Sequence, residues 1–71
     1  MSYYYDNQRH LVCIPYSIEN LHTMAQALGI KRGWFHTNHY DIPKYLLEYV
    51  QTEAIEARPR QIVNIIKTGK L

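Results

Sequence analysis

A chain of 71 residues with 46% hydrophobic and 20% charged side chains is too apolar for a disordered polypeptide and long enough for one domain. At this size about 60% of the unfolded surface is buried on folding, which leaves a thin margin of stability. Eight basic against six acidic side chains give a net charge of +2, a small electrostatic footprint for nucleic acid. The single cysteine, Cys13, excludes an internal disulfide and a cysteine-based zinc site within one chain.

Ser2 to Tyr5 and Leu11 to Pro15 are β-favouring runs separated by the turn formers Asp6-Asn7-Gln8-Arg9, which predicts a hairpin or two neighbouring strands. Cys13 reads as a small buried hydrophobe of the second run. Ser17 is placed to cap a helix with Glu19 in its first turn. Ile18, Leu21, Met24, Ala25 and Leu28 follow at helical spacing, and Gly29 stands where a left-handed terminating residue belongs. Lys31 to Phe35 reads as one more short turn and His36-Thr37-Asn38 as loop. Asp41 is placed to cap a second helix with Pro43 in its first turn and Ile42, Leu46, Tyr49 and Val50 as its buried stripe. Glu53 to Ala57 alternates polar and apolar through Ile55, as a short third strand would. Pro59 then starts a last helix bearing Ile62, Val63, Ile65 and Ile66, and Gly69 ends it. The sum is a compact single domain, residues 1–71, of α/β (α+β) class with two or three short strands and about three helices.

The segment hardest to explain as packing is His39-Tyr40-Asp41-Ile42-Pro43. It sets an imidazole, a phenol and a carboxylate side by side where Pro43 disfavours helix for the residue before it, which suggests a site on a fixed loop. With Asp6 at the end of the first strand, His39 and Asp41 offer the ligand types that hold a catalytic divalent metal, with His36 or His22 as further members. The spacing matches no established metal motif. The same residues also have a structural account: Asp41 as a helix cap, His39 donating to a carbonyl, Tyr40 buried with its hydroxyl tethered.

Residues 21 to 38 can also be read as a helix-turn-helix-like unit, with Lys31 and Arg32, aided by the carboxyl-terminal Arg58, Arg60 and Lys67, facing phosphates. Gly33 would then fall inside the recognition helix, and Pro43 would cut that helix short. Trp34 and Phe35 are either a stacking platform or the plug of a small core. Tyr3, Tyr4, Tyr5 and Tyr16 either cover a partner or form two faces of an amino-terminal strand. Cys13 has no neighbouring base in sequence, and the three glycines are isolated, so neither nucleophilic catalysis nor a phosphate loop is indicated.

Tyr3-Tyr4-Tyr5-Asp6, Leu21-His22 with Ala25, Leu28-Gly29-Ile30, Arg32, Trp34-Phe35 and His39-Tyr40-Asp41-Ile42 follow one another as they do in a family of small bacterial and bacteriophage proteins, domain of unknown function 4031, whose hallmark is His-Tyr-Asp. The chain resembles that family up to about Ala54. It differs at Tyr16-Ser17, where the family pattern has Asp-Thr, at His36, where it has glutamine, and at Leu46-Leu47 and Glu53-Ala54, where it has arginine and Gly-Ala. The resemblance implies a phage or prophage origin and brings no assigned activity. Small phage proteins often act by binding a host protein or nucleic acid.

The leading expectation is therefore a non-enzymatic accessory protein of the bacterial cytoplasm, without a signal peptide or membrane span. It would bind a macromolecular partner, or itself as a homodimer, through Asp6, Trp34, His36, His39, Tyr40 and Asp41. The alternatives are nucleic-acid binding through the basic residues named above, and a metal-assisted hydrolase in which Asp6, His39 and Asp41 hold the ion. No cofactor is expected beyond such a divalent metal.

Overall fold

A computed structural model describes residues 1–71. The two amino-terminal runs form the antiparallel pair β1 (Ser2–Tyr5) and β2 (His10–Ile14), with Tyr5 opposite Leu11. Asp6 sits in the turn between them and accepts from the Gln8 and His10 backbone N–H groups at 2.9 and 3.0 Å. Arg9 closes the turn in the left-handed region, φ 64°. Helix α1 (Ile18–Leu28) begins at Ser17, whose hydroxyl accepts from the Asn20 N–H at 2.9 Å, and ends at Gly29, left-handed at φ 76°. Leu21, Met24, Ala25 and Leu28 form its buried stripe.

Beyond a 3-10 turn at Arg32–Trp34, the chain departs from the sequence-based expectation. Phe35–His36 and His39–Asp41 are strands, β3 and β4, of a second hairpin whose turn is Thr37-Asn38, with Thr37 left-handed at φ 59°. His39-Tyr40-Asp41 is thus strand rather than loop, and Asp41 caps no helix. No second helix follows α1 within residues 21–38, so the helix-turn-helix geometry is not formed. The reason is tertiary: β4 finds an open edge on β2, and pairing there satisfies its backbone groups.

Pro43 does break the chain direction, but into a 3-10 turn at Lys44–Leu46 that runs into α2 (Leu47–Glu53). Of the predicted stripe, Ile42 and Val50 are buried, Leu46 is half-buried, and Tyr49 faces solvent. The expected third strand is present as β5 (Ile55–Glu56), parallel to β1, and α3 (Pro59–Thr68) ends at a left-handed Gly69. In α3, Ile62 and Ile65 are buried, Ile66 is half-buried and Val63 is exposed.

The five strands form one mixed sheet in the order β3-β4-β2-β1-β5. The fold is α+β, with three helices and more strands than the sequence patterns suggested. Successive residues of a strand point to opposite faces, so the register sorts the side chains. Tyr5, Leu11, Tyr40 and Phe35 are linked by direct pairing and share the face next to α1. His10, Asp41, His39 and His36 share the other, which α3 partly covers. Leu11, Val12 and Cys13 are all fully buried, as a central strand covered on both faces should be.

Candidate metal centre

The α1 face contains ordinary packing chemistry. Tyr40 is buried, and its hydroxyl lies 2.7 Å from His22 Nδ1, while Phe35 packs against both rings. The tethered-phenol account of Tyr40 is therefore correct, and His22 is on the opposite face from the metal-type residues. Cys13 donates its thiol to the Pro15 carbonyl at 3.5 Å, and burial pushes its pKa up, so it is an unreactive core residue.

The α3 face is different. Direct pairing of His10 with Asp41 and of His39 with His36 places three imidazoles and one carboxylate in a row across β2, β4 and β3. One donor atom from each of His10, His39 and Asp41 lies within 4.8 Å of the others. The His10 and His39 rings meet edge-on with centroids 4.8 Å apart, and His36 Nδ1 stands 3.9 Å from Asp41 Oδ2 at the solvent rim.

Hydrogen bonds fix which ring nitrogens are available. Asp6 is 1% exposed, and its Oδ2 lies 2.9 Å from His10 Nδ1. A carboxylate only accepts, so His10 carries a proton on Nδ1 and presents Nε2. His39 Nδ1 lies 2.8 Å from Asn38 Oδ1, and with its proton on Nδ1 neutral His39 presents Nε2 as a lone pair. Burial pushes the His39 pKa below its ordinary value, only partly opposed by Asp41, which favours that neutral form.

His39 Nε2 is buried and has no hydrogen-bond partner, although Asp41 Oδ1 is only 3.3 Å away. In the tautomer protonated on Nδ1 the Nε2 lone pair faces this carboxylate oxygen, a contact that a cation between the two atoms would relieve. Two ligands of a tetrahedral ion, each bound at about 2.0–2.1 Å, are separated by about 3.3 Å.

Of the sequence-predicted set Asp6, His39 and Asp41, the structure brings His39 and Asp41 together. Asp6 does not join the cluster; it holds His10, which takes its place. Such carboxylate-to-histidine support is how ligating imidazoles are commonly oriented. The signal for His10 was present, since a turn at Asp6-Asn7-Gln8-Arg9 returns the chain to Asp6 at the first residue of β2.

Asn38 is itself anchored, because the Tyr16 hydroxyl donates to its backbone carbonyl at 2.7 Å. That bond, with Tyr5 buried and Tyr3 and Tyr4 half-buried against the core, makes the amino-terminal tyrosines packing residues of the sheet. Trp34 is 40% exposed and so is no core plug, whereas Phe35 is partly buried and packed. Lys31, Arg32, Arg58, Arg60 and Lys67 are all exposed. Arg32 borders a groove on the α1 face and Lys67 one on the α3 face, so they do not form one basic strip.

Residues 6–69 match the family model described as Protein of unknown function (DUF4031), which includes every residue of the cluster and its supports. The chain belongs to the DUF4031 family. No curated protein and no solved structure matches it. In this DUF4031 protein the His-Tyr-Asp tripeptide divides between two faces: its histidine and aspartate join the metal-type cluster, and its tyrosine enters the core. No helix is long and apolar enough to cross a membrane.

Proposed function

We propose that this protein holds one divalent transition-metal ion between His10 Nε2, His39 Nε2 and Asp41, and uses it to activate water for hydrolysis. The observation that carries the reading is the buried, unpartnered His39 Nε2 facing Asp41 Oδ1 at 3.3 Å. Two imidazoles and one carboxylate suit zinc or another first-row ion better than magnesium, and they leave coordination positions open. An ion so held would lower the pKa of bound water towards neutrality and polarise the bond to be cleaved. In the overall reaction the water oxygen joins the acyl or phosphoryl centre, the bond to the leaving group breaks, and the leaving group departs with a proton. Hydrolysis needs no redox partner, and Asp6 and Asn38 keep both rings in the tautomer that ligates.

Calorimetric titration with zinc, manganese and magnesium tests the reading. One equivalent of zinc should bind, with magnesium much weaker. His10→Ala, His39→Ala and Asp41→Asn should each lose more affinity than the about 10–100-fold typical of removing a supporting residue. Absence of saturable zinc binding, or wild-type affinity retained in all three variants, overturns it.

A further inference from the structure

We infer that the groove beside this centre takes the apolar body of a small anionic substrate and places its negative charge at Lys67. The inference rests on the metal-centre reading for the chemistry, although the binding itself needs no ion. The groove has a volume of about 350 Å³ and runs between α3 and the His10–His39 end of the sheet. Its helical wall is Pro59, Ile62, Val63, Ile66 and Lys67, which are positions i, i+3, i+4, i+7 and i+8 of one stripe. At about 1.5 Å per residue that stripe is about 12 Å long.

The middle of this wall is branched aliphatic surface left open, with Val63 46% exposed and Ile66 only half-buried. Its carboxyl-terminal end carries Lys67, in the last turn of α3. The only basic–acidic contacts within 4.0 Å join a histidine to an aspartate, so Lys67 has no carboxylate partner, and no acidic side chain lines the groove. The remaining lining residues are His10, His39, Gln8 and Asn38, from the sheet and its turns. A matching ligand brings apolar area for Val63 and Ile66 and an anion for Lys67, with a hydrolysable bond at the histidines. A simple anion such as phosphate leaves the aliphatic wall wet, and a neutral ligand leaves Lys67 unmatched. The volume lies at the low end of the roughly 300–1,000 Å³ typical of small-molecule sites. That size fits a short acyl or arylalkyl carboxylate carrying an ester or amide bond.

The test is a ¹H–¹⁵N amide titration of the metal-free protein with phenylbutanoate, using phenylbutanol and acetate as controls. Phenylbutanoate should shift the amides of Gln8, Asn38, Val63 and Lys67 in a saturable manner, and both controls should bind severalfold more weakly. Lys67→Gln should bring the affinity for phenylbutanoate down to that for the alcohol, and Val63→Asp should abolish it. Both positions are exposed, and the dispersion of each variant's amide spectrum checks that it is folded. Shifts confined to other surfaces, equal affinity for the alcohol, or an unaffected Lys67→Gln variant overturn the inference. Because no metal is present, this result and the zinc titration succeed or fail separately.

Discussion

At the scale of single residues, Asp6 has the most to explain. Burying a carboxylate is costly unless its oxygens are matched, and here two backbone N–H groups and the His10 ring match them. Asp6→Asn keeps an oxygen for the backbone donors but turns an amide N–H₂ towards His10 Nδ1. The proton on His10 then moves to Nε2, and the ligating lone pair is lost. Zinc affinity should fall about 10–100-fold while the circular dichroism spectrum is unchanged, and an unchanged affinity would show that Asp6 is purely a turn residue. His39 supplies a second test. Its folded pKa lies below the ordinary 6.5, chiefly through burial, with Asp41 opposing and His10 and His36 adding to the shift. Below about pH 6.5 the unfolded chain therefore binds more protons at this position. The stabilising contribution is complete above that value and is lost as pH falls towards the folded pKa. Thermal melts of metal-free protein at about pH 5 and about pH 7 should show a larger acid penalty for wild type than for His39→Gln.

At the scale of elements, legibility followed how local the cause was. Ser17 and Gly29 bracket α1, and Pro59 and Gly69 bracket α3, as the sequence indicated, because capping is decided within a few residues. Local pattern gives loop and helix cap at the β3–β4 hairpin because Thr37-Asn38 lacks the Asn-Gly signature of a tight turn and its strands are two and three residues long. What makes β4 a strand is β2, nearly thirty residues earlier, and that partner is invisible to local pattern. The candidate site suffered for the same reason. Once His39 and Asp41 are on a strand, period two puts them on one face, and cross-strand pairing supplies His10. The hairpin is held by more than its own ladder, since Tyr16 donates to the Asn38 carbonyl and Asn38 then orients His39. Tyr16→Phe should cost about 1 kcal/mol in denaturant unfolding. It should also weaken zinc binding, though less than removal of a ligand. Weaker folding with no change in zinc affinity would separate the anchor from the site.

At the scale of the whole molecule, a 71-residue chain has assigned the two faces of one small sheet to different tasks. The α1 face is packed with Tyr5, Leu11 and Tyr40 and provides much of the core; the α3 face gives up part of its packing to a polar row and an open groove. An ion that binds only the folded state adds stability by mass action, at about 2.7 kcal/mol when its concentration is a hundred times Kd. For a domain with so little surface to bury, that is a substantial share of the total. The central claim is that His10 and His39, and not His22, offer Nε2 to an ion while each keeps its proton on Nδ1. Long-range ¹H–¹⁵N spectra of the imidazole rings, recorded with and without one equivalent of zinc, address it directly. The account predicts that Nε2 of His10 and His39 shifts on zinc addition, with Nδ1 protonated before and after and His22 unmoved. Spectra that zinc leaves unchanged, or that move at His22 alone, would contradict it.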